Sequence, residues 1–162
     1  MTDACARAAE LVGFAYAEAR LIDEKRFDEW YDLFAEDGLY WIPLTREQPD
    51  GINYTSLLYE DKLLLKIRIE RLKNPRSFSQ QPPSFCQHIL QQPVIESAGP
   101  GAEEWVVRTP FLYIEAQLDA QVVLAGVSYL HLVRTAERLL IRLKKVELVN
   151  REAALPSIQL FP

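Results

Sequence analysis

A chain of 162 residues, 49% of them hydrophobic, has the length of one domain and enough apolar material to bury a core without disulfide or metal staples. Its two cysteines, Cys5 and Cys86, fall short of a disulfide framework and match no paired spacing that holds zinc or an iron-sulfur cluster, so a reducing cytoplasm is the expected compartment. A net charge of -5 with scattered Lys and Arg argues against nucleic acid, and the lack of an apolar run of about 20 residues, or of a charged-then-apolar start in MTDACARAAE, argues against a membrane span or signal peptide.

Ala8, Leu11, Val12, Ala15, Ala19 and Ile22 recur at helical spacing and predict a first helix over about residues 4–22. Asp23 reads as the N-cap of a second, shorter helix. In that helix Phe27, Trp30, Tyr31 and Phe34 fall at i, i+3, i+4 and i+7, and Gly38 stands where an exit belongs. GLYWIP then reads as a strand and LTREQPDGIN, residues 44–53, as a loop. A third helix is predicted from about Tyr59 to Leu72. Lys62, Lys66, Glu70 and Lys73 share one side of it, whereas Arg68 and Arg71 fall among Leu64, Ile67 and Leu72 on the face expected to pack inward. At least one of these arginines should be paired, with Asp61 as a candidate partner, because a buried guanidinium without a partner is too costly.

Beyond the Pro-rich NPRSFSQQPPS, four stretches rich in Val, Ile, Leu, Phe and Tyr cover roughly 84–97, 103–118, 121–135 and 138–149, and predict an antiparallel meander. In the third, both alternating sets are largely apolar, so that strand needs cover on both faces. In the fourth, Leu139, Ile141 and Leu143 share one register and Val146 and Leu148 the other, which predicts a bulge near Lys144. The expected fold class is α+β: a single domain, 1–162, with N-terminal helices packed on one face of a strongly curved antiparallel sheet. The sheet's other face then implies another chain.

FDEWYDLFAEDGLYWIP, residues 27–43, carries five carboxylates among six large aromatics and invites a reading as a catalytic pocket. On a helix wheel, however, Phe27, Trp30, Tyr31 and Phe34 cluster on one side while Asp28, Glu29, Asp32 and Glu36 point away, as a solvated helix face would. Asp37, at the helix-to-strand junction, is the acid left either to cap a turn or to face a pocket. His88 and His131 would both be needed for a mononuclear metal site, and neither stands in His-x-x-x-His or His-x-Glu spacing. As a general acid or base, His88 competes with its reading as a hydrogen-bonded core histidine. Tyr40, Tyr54 and Tyr59 could donate to a ligand or simply pack at the edge of the core. No G-x-G-x-x-G, Walker loop or nucleophile elbow is present.

Three blocks together resemble one family, the small or β subunits of aromatic-ring-hydroxylating dioxygenases. EARLIDEKRFDEWYDLFAEDGLYWIP resembles the family's N-terminal helix-helix-strand unit, through Phe27, Trp30 and a Tyr and Pro in the strand. LLYEDKLLLKIRIERLKNP resembles its Tyr-acid-Asp and Arg-x-x-Arg helix, matched by Tyr59, Asp61, Arg68 and Arg71. PPSFCQHILQQPVIE resembles the following strand, with a Pro and then His88. LIRLKKVELVN agrees in pattern, although Leu139 stands where many members have Trp. The resemblance implies the cone-shaped sheet of nuclear-transport-factor-like proteins and a structural, non-catalytic role in a hexamer of three large and three small subunits. It also implies that the Rieske cluster and mononuclear iron reside in the large (alpha) subunit, with no cofactor and no catalytic residue in this chain. Asp61, Arg68, Arg71 and His88 become structural or interface candidates. The alternatives are a stand-alone isomerase or dehydratase working from His88 with Asp37, Tyr40 or another tyrosine, and a small-ligand binding module.

Overall fold

The structure, a computed structural model, describes residues 2–98 and 103–162. The chain opens with helix α1 (Thr2–Asp23) and the single-turn helix α2 (Phe27–Tyr31), then strands β1 (Phe34–Pro43) and β2 (Ser56–Asp61). Helix α3 (Lys62–Lys73) and a 3-10 turn (Phe78–Gln80) follow. Strands β3 (Phe85–Leu90), β4 (Val94–Ala98), β5 (Glu104–Gln117), β6 (Ala120–Arg134) and β7 (Leu139–Leu148) complete the sheet. Its order is β2-β1-β7-β6-β5-β3, with β4 also pairing with β5.

This is the predicted α+β arrangement of helices on a bent sheet, with four departures. First, β1 and β7 run parallel, so the sheet is mixed. Second, the expected strand over 84–97 is broken at Gln91-Gln92-Pro93 into β3 and β4, both paired with β5; proline lacks the N–H a continuous ladder needs. The Gly-Pro break at 99–102 lies outside the described residues. Third, residues 56–61, partly assigned to the third helix, form an edge strand on β1 in which Tyr59 pairs with Trp41. Fourth, α2 ends at Tyr31. The Ile141 N–H donates to the Leu33 carbonyl at 2.8 Å, and β1 starts at Phe34 rather than after Gly38. Pairing with β7 thus overrides the helical spacing of Phe34.

Gly38 is therefore inside β1, where the register to β7 slips between Phe34 and Leu39. A Cβ there would stand 2.8 Å from the Ala35 oxygen and 3.0 Å from the Ile141 oxygen, so the close strand approach requires glycine. The slip predicted near Lys144 lies just before it: Leu132 pairs with Ile141 and His131 with Leu143, leaving Arg142 as the extra residue. Leu139 and Ile141 point inward before the bulge, and Lys144, Val146 and Leu148 after it.

The core is the concave side of the sheet. Leu11, Ala15, Ala19 and Ile22 of α1, with Phe27 and Trp30 of α2, pack against Tyr40, Val107, Tyr113, Leu130, Ile141 and Val146. As expected, Asp28, Glu29, Asp32 and Glu36 are exposed. In α3 the buried residues are Leu65 and Ile69, whereas Leu64 and Ile67 are exposed. Leu or Ile occupies so much of this helix's circumference that spacing alone does not select a face.

Candidate functional site

The interior of the cone is where the sequence concentrates polar groups against the apolar rule. Glu18 lies on the buried stripe of α1 between Ala15 and Ile22, and the Arg142 bulge rotates Lys144 inward opposite it. The two pair at 2.8 Å with side chains only 5% and 3% exposed, and the Trp30 indole N–H donates to the same carboxylate at 2.6 Å. The ammonium of Lys144 also sits over the Trp30 and Tyr40 rings, at 5.6 and 5.4 Å. Charge, hydrogen bond and cation-π contact together compensate the desolvation of both ions.

Residues 155–162 form a strap that runs back into the cone. Phe161 is fully buried, its ring 4.6 Å from that of Trp30, 5.7 Å from Phe27 and 6.1 Å from Tyr40. The Tyr40 hydroxyl donates to the Pro162 carbonyl oxygen at 2.5 Å. Buried Glu115 accepts the backbone N–H groups of Gln159 and Leu160 at 2.8 and 2.9 Å, and the Tyr113 hydroxyl as well. Burial pushes both the Tyr40 and Tyr113 hydroxyls well above their ordinary range, so each stays a proton donor.

His88 closes the remaining side. Asp23, read from the sequence as a helix N-cap, is instead the last residue of α1, and α2 follows Arg26 without a side-chain cap. The Asp23 carboxylate faces β3. It accepts the backbone N–H of His88 at 3.0 and 3.1 Å and Gln87 Nε2 at 2.8 Å, and pairs with His88 Nδ1 at 2.6 Å. With Nδ1 so engaged, Nε2 points inward. It and Thr109 Oγ1 are buried without a protein hydrogen-bond partner, and both residues line a cavity of about 20 Å³ together with Ser128, Leu130, Lys144 and Pro162. A carboxylate-oriented imidazole is the arrangement of a general base, but this space holds about one water molecule.

Asp23, Cys86 and His88 also form a group whose potential metal-ligating atoms lie within 4.8 Å of one another. Burial, and then the charge of Asp23, push the Cys86 thiol up to about 12, so near neutral pH it is a protonated and poor ligand. His131 cannot join His88 at one ion, since Leu130 and Leu132 beside it face the core and His131 faces the other side of the sheet. Burial and the neighbouring Lys145 lower the His131 pKa.

All the remaining sequence candidates except Tyr40 lie apart from the cone. Asp37 is exposed and pairs with Arg142 at 3.5 Å, so it faces solvent and not the cavity; β1 begins before it and its side chain leaves the outer surface. Tyr40 is in the interior but engaged by the strap. Tyr54 is exposed, and Tyr59 stacks edge-on with Trp41 at 6.3 Å. Arg68 is paired, though not with Asp61: its Nε reaches both Glu60 oxygens at 3.0 Å, tying α3 to β2. Arg71 is exposed rather than inward, with no ion-pair partner among the described residues. Asp61 is the N-cap of α3 and accepts the Leu64 N–H at 2.9 Å. Asp61→Ala should therefore lower stability by about 1 kcal/mol in urea unfolding, whereas Asp61→Asn, which can still cap, should change it much less.

Glu18, Glu115 and Phe161 carry no reading in the sequence analysis, Asp23 is read there only as a helix cap, and Lys144 only as the place of a bulge. Two had a signal: Glu18 interrupts an apolar helical stripe, and Lys144 shares the parity of Val146 and Leu148 once the bulge is granted.

Comparison with known proteins places this geometry. The family described as "Ring hydroxylating beta subunit" matches residues 17–153. The beta subunit of benzene 1,2-dioxygenase from Pseudomonas putida is 31% identical over 121 residues, covering 68% of this chain and 65% of its own. The beta subunit of biphenyl 2,3-dioxygenase from Rhodococcus jostii is 26% identical over 121 residues, 69% of this chain and 64% of its own. The matched stretch thus spans a little under two thirds of these relatives. The crystal structure of the beta subunit of benzoate 1,2-dioxygenase from Burkholderia mallei superposes with a TM-score of 0.73 at 27% identity, covering 93% of this chain and 95% of that one. A scytalone dehydratase-like protein from Novosphingobium aromaticivorans shares the fold, with a TM-score of 0.62 at 17% identity, over 92% of this chain and 89% of that one.

Proposed function

The chain belongs to the ring-hydroxylating beta subunit family, and on that premise we propose that it is the non-catalytic structural subunit of a multicomponent aromatic-ring-hydroxylating dioxygenase. Its work is to hold catalytic large subunits in register, in a three-plus-three hexamer built on a trimer of this chain. The Rieske cluster and the mononuclear iron belong to the large subunit, and the reaction supported there is dihydroxylation of an aromatic ring.

The observation that carries this reading is the sheet's outer face. Phe85 and Ile89 of β3, Leu112 of β5 and Val123 of β6 point away from the core, and Phe85 and Val123 remain 60% and 59% exposed. So broad an apolar strip favours a protein partner. Arg71, exposed on the outside of α3, suits an interface; Arg68 and Asp61 hold α3 in place, and His88 ties β3 to α1. No helix among the described residues is long and apolar enough to cross a membrane.

The rival reading, a stand-alone isomerase or dehydratase, draws on the His88–Asp23 pair. Against it stand a cavity of about 20 Å³ and a strap filling the space a substrate would need. Purification from the native source tests the assignment. Recovery with an iron-containing large chain in equal amount is expected, and Leu112→Glu with Val123→Glu should release a folded small chain on size exclusion. A clean monomer that is active by itself would sink it.

A further inference from the structure

Two polar atoms inside the cone lack the partner that burial demands. His88 Nε2 and Thr109 Oγ1 have no hydrogen-bond partner among the described residues, although the His88 side chain is 4% exposed and Thr109 2%. Buried polar groups are rarely left so, because each then bears its full desolvation cost. Both line the same cavity of about 20 Å³. Ser128, directly opposite Thr109 in the pairing of β5 with β6, lines it too, as does Lys144. Lys144 gives one N–H to Glu18 at 2.8 Å, and an ammonium carries three.

The chemistry of His88 fixes which way its bare nitrogen acts. Nδ1 lies 2.6 Å from an Asp23 oxygen, a separation that needs a proton between the two, and an ionised carboxylate has none to give. The proton is therefore on Nδ1, and the Nε2 of the neutral ring is a lone-pair acceptor.

The geometry points to one resident water molecule as a structural ligand of the cone. It donates an O–H to His88 Nε2 and accepts from the Thr109 hydroxyl, with the Ser128 hydroxyl and the Lys144 ammonium on the same wall as further partners. A buried water needs about 10–15 Å³ and two to four polar partners, and this space supplies both. The Lys144 ammonium repels a cation of similar size, and Glu18 already neutralises that ammonium, so nothing recruits an anion. Through this water the Asp23–His88 pair, which joins α1 to β3, and the Glu18–Lys144 pair, which joins α1 to β7, become one network.

The test uses the full-length chain. A high-resolution crystal structure should show a single water within hydrogen-bond reach of His88 Nε2 and Thr109 Oγ1. Nitrogen-15 NMR of the imidazole in mildly alkaline buffer should show a protonated Nδ1 and a lone-pair Nε2. The sign of a stability change separates a bridged hydroxyl from an orphaned one. Thr109→Val should lower the urea midpoint, with the folding equilibrium constant falling about fivefold for the lost hydrogen bond, whereas relieving an orphaned hydroxyl would raise it. Thr109→Ser, which restores the hydroxyl, should keep the water in its crystal structure. The proposal is overturned if wild type shows no water there, if Nε2 carries the proton, or if the Thr109→Val midpoint is unchanged or raised. Should Thr109→Val fail to fold, the two wild-type measurements decide.

Discussion

Lys144→Met is expected to lower unfolding stability by about 3–5 kcal/mol, because it strands the Glu18 carboxylate inside the cone. The side chain of Lys144 is 3% exposed and meets Glu18 at 2.8 Å. Methionine matches its length and keeps contact with the Trp30 and Tyr40 rings, so packing is largely preserved and the loss is electrostatic. Glu18 would retain only the Trp30 indole N–H, at 2.6 Å, which cannot replace a cation. The check is a two-step comparison by urea unfolding. Glu18→Gln removes the stranded charge while keeping an amide oxygen for the indole, so the double variant Glu18→Gln/Lys144→Met should recover about half or more of the loss. Equal midpoints for wild type and Lys144→Met would show that the pair contributes nothing to folding.

Trp30→Ala should be comparably severe, at about 3–5 kcal/mol, for a different reason. Its indole is fully buried and touches the rings of Phe34 at 5.1 Å, Tyr40 at 5.9 Å and Phe161 at 4.6 Å. Truncation opens a cavity at the junction of α2, β1 and the strap, and also deprives Glu18 of a hydrogen bond. Trp30→Phe separates the two losses: it fills much of the volume but lacks the N–H donor, so it should fall between wild type and Trp30→Ala. An unchanged urea midpoint for Trp30→Ala would mean that α2 does not present this face to the core.

Trp30 belongs to residues 27–43, whose composition suggests a catalytic pocket. The acids of that stretch serve solvent and surface pairs: Asp28 meets Lys73 at 2.8 Å, and Asp37 meets Arg142 at 3.5 Å. Four of its aromatics, Phe27, Trp30, Phe34 and Tyr40, build the cone's interior. What looked like a pocket from composition is the wall of one, and its polar chemistry comes from α1, β3, β5 and β7.

Several elements were legible from the order of residues. The stripe from Leu11 to Ile22 specifies α1, the separation of acids from Phe27 and Trp30 specifies which side of α2 is buried, and the change of phase around residues 141–146 specifies a bulge, found at Arg142. These features are local: periods of 3.6 and 2 state which side chains share a face, and burying that face is what folding requires. Periodicity failed where it was ambiguous, as on α3, or where a neighbouring strand competed with the helix, as at Phe34. The three blocks of resemblance were equally a matter of sequence, and the family match spans them.

What the tertiary structure alone decided is which face meets which. Asp23 looked like a helix cap because caps are local, but its partner is His88, 65 positions away. Glu18 and Lys144 are 126 positions apart, and Tyr40 and Pro162 are 122 apart. A chain's local pattern carries no record of such distances, since each pairing depends on where the curved sheet brings its ends. The family, the α+β order and the buried faces of α1 and α2 were thus written in the sequence, whereas the closure of the cone on Phe161 and the ion pair beside it arise from three-dimensional packing.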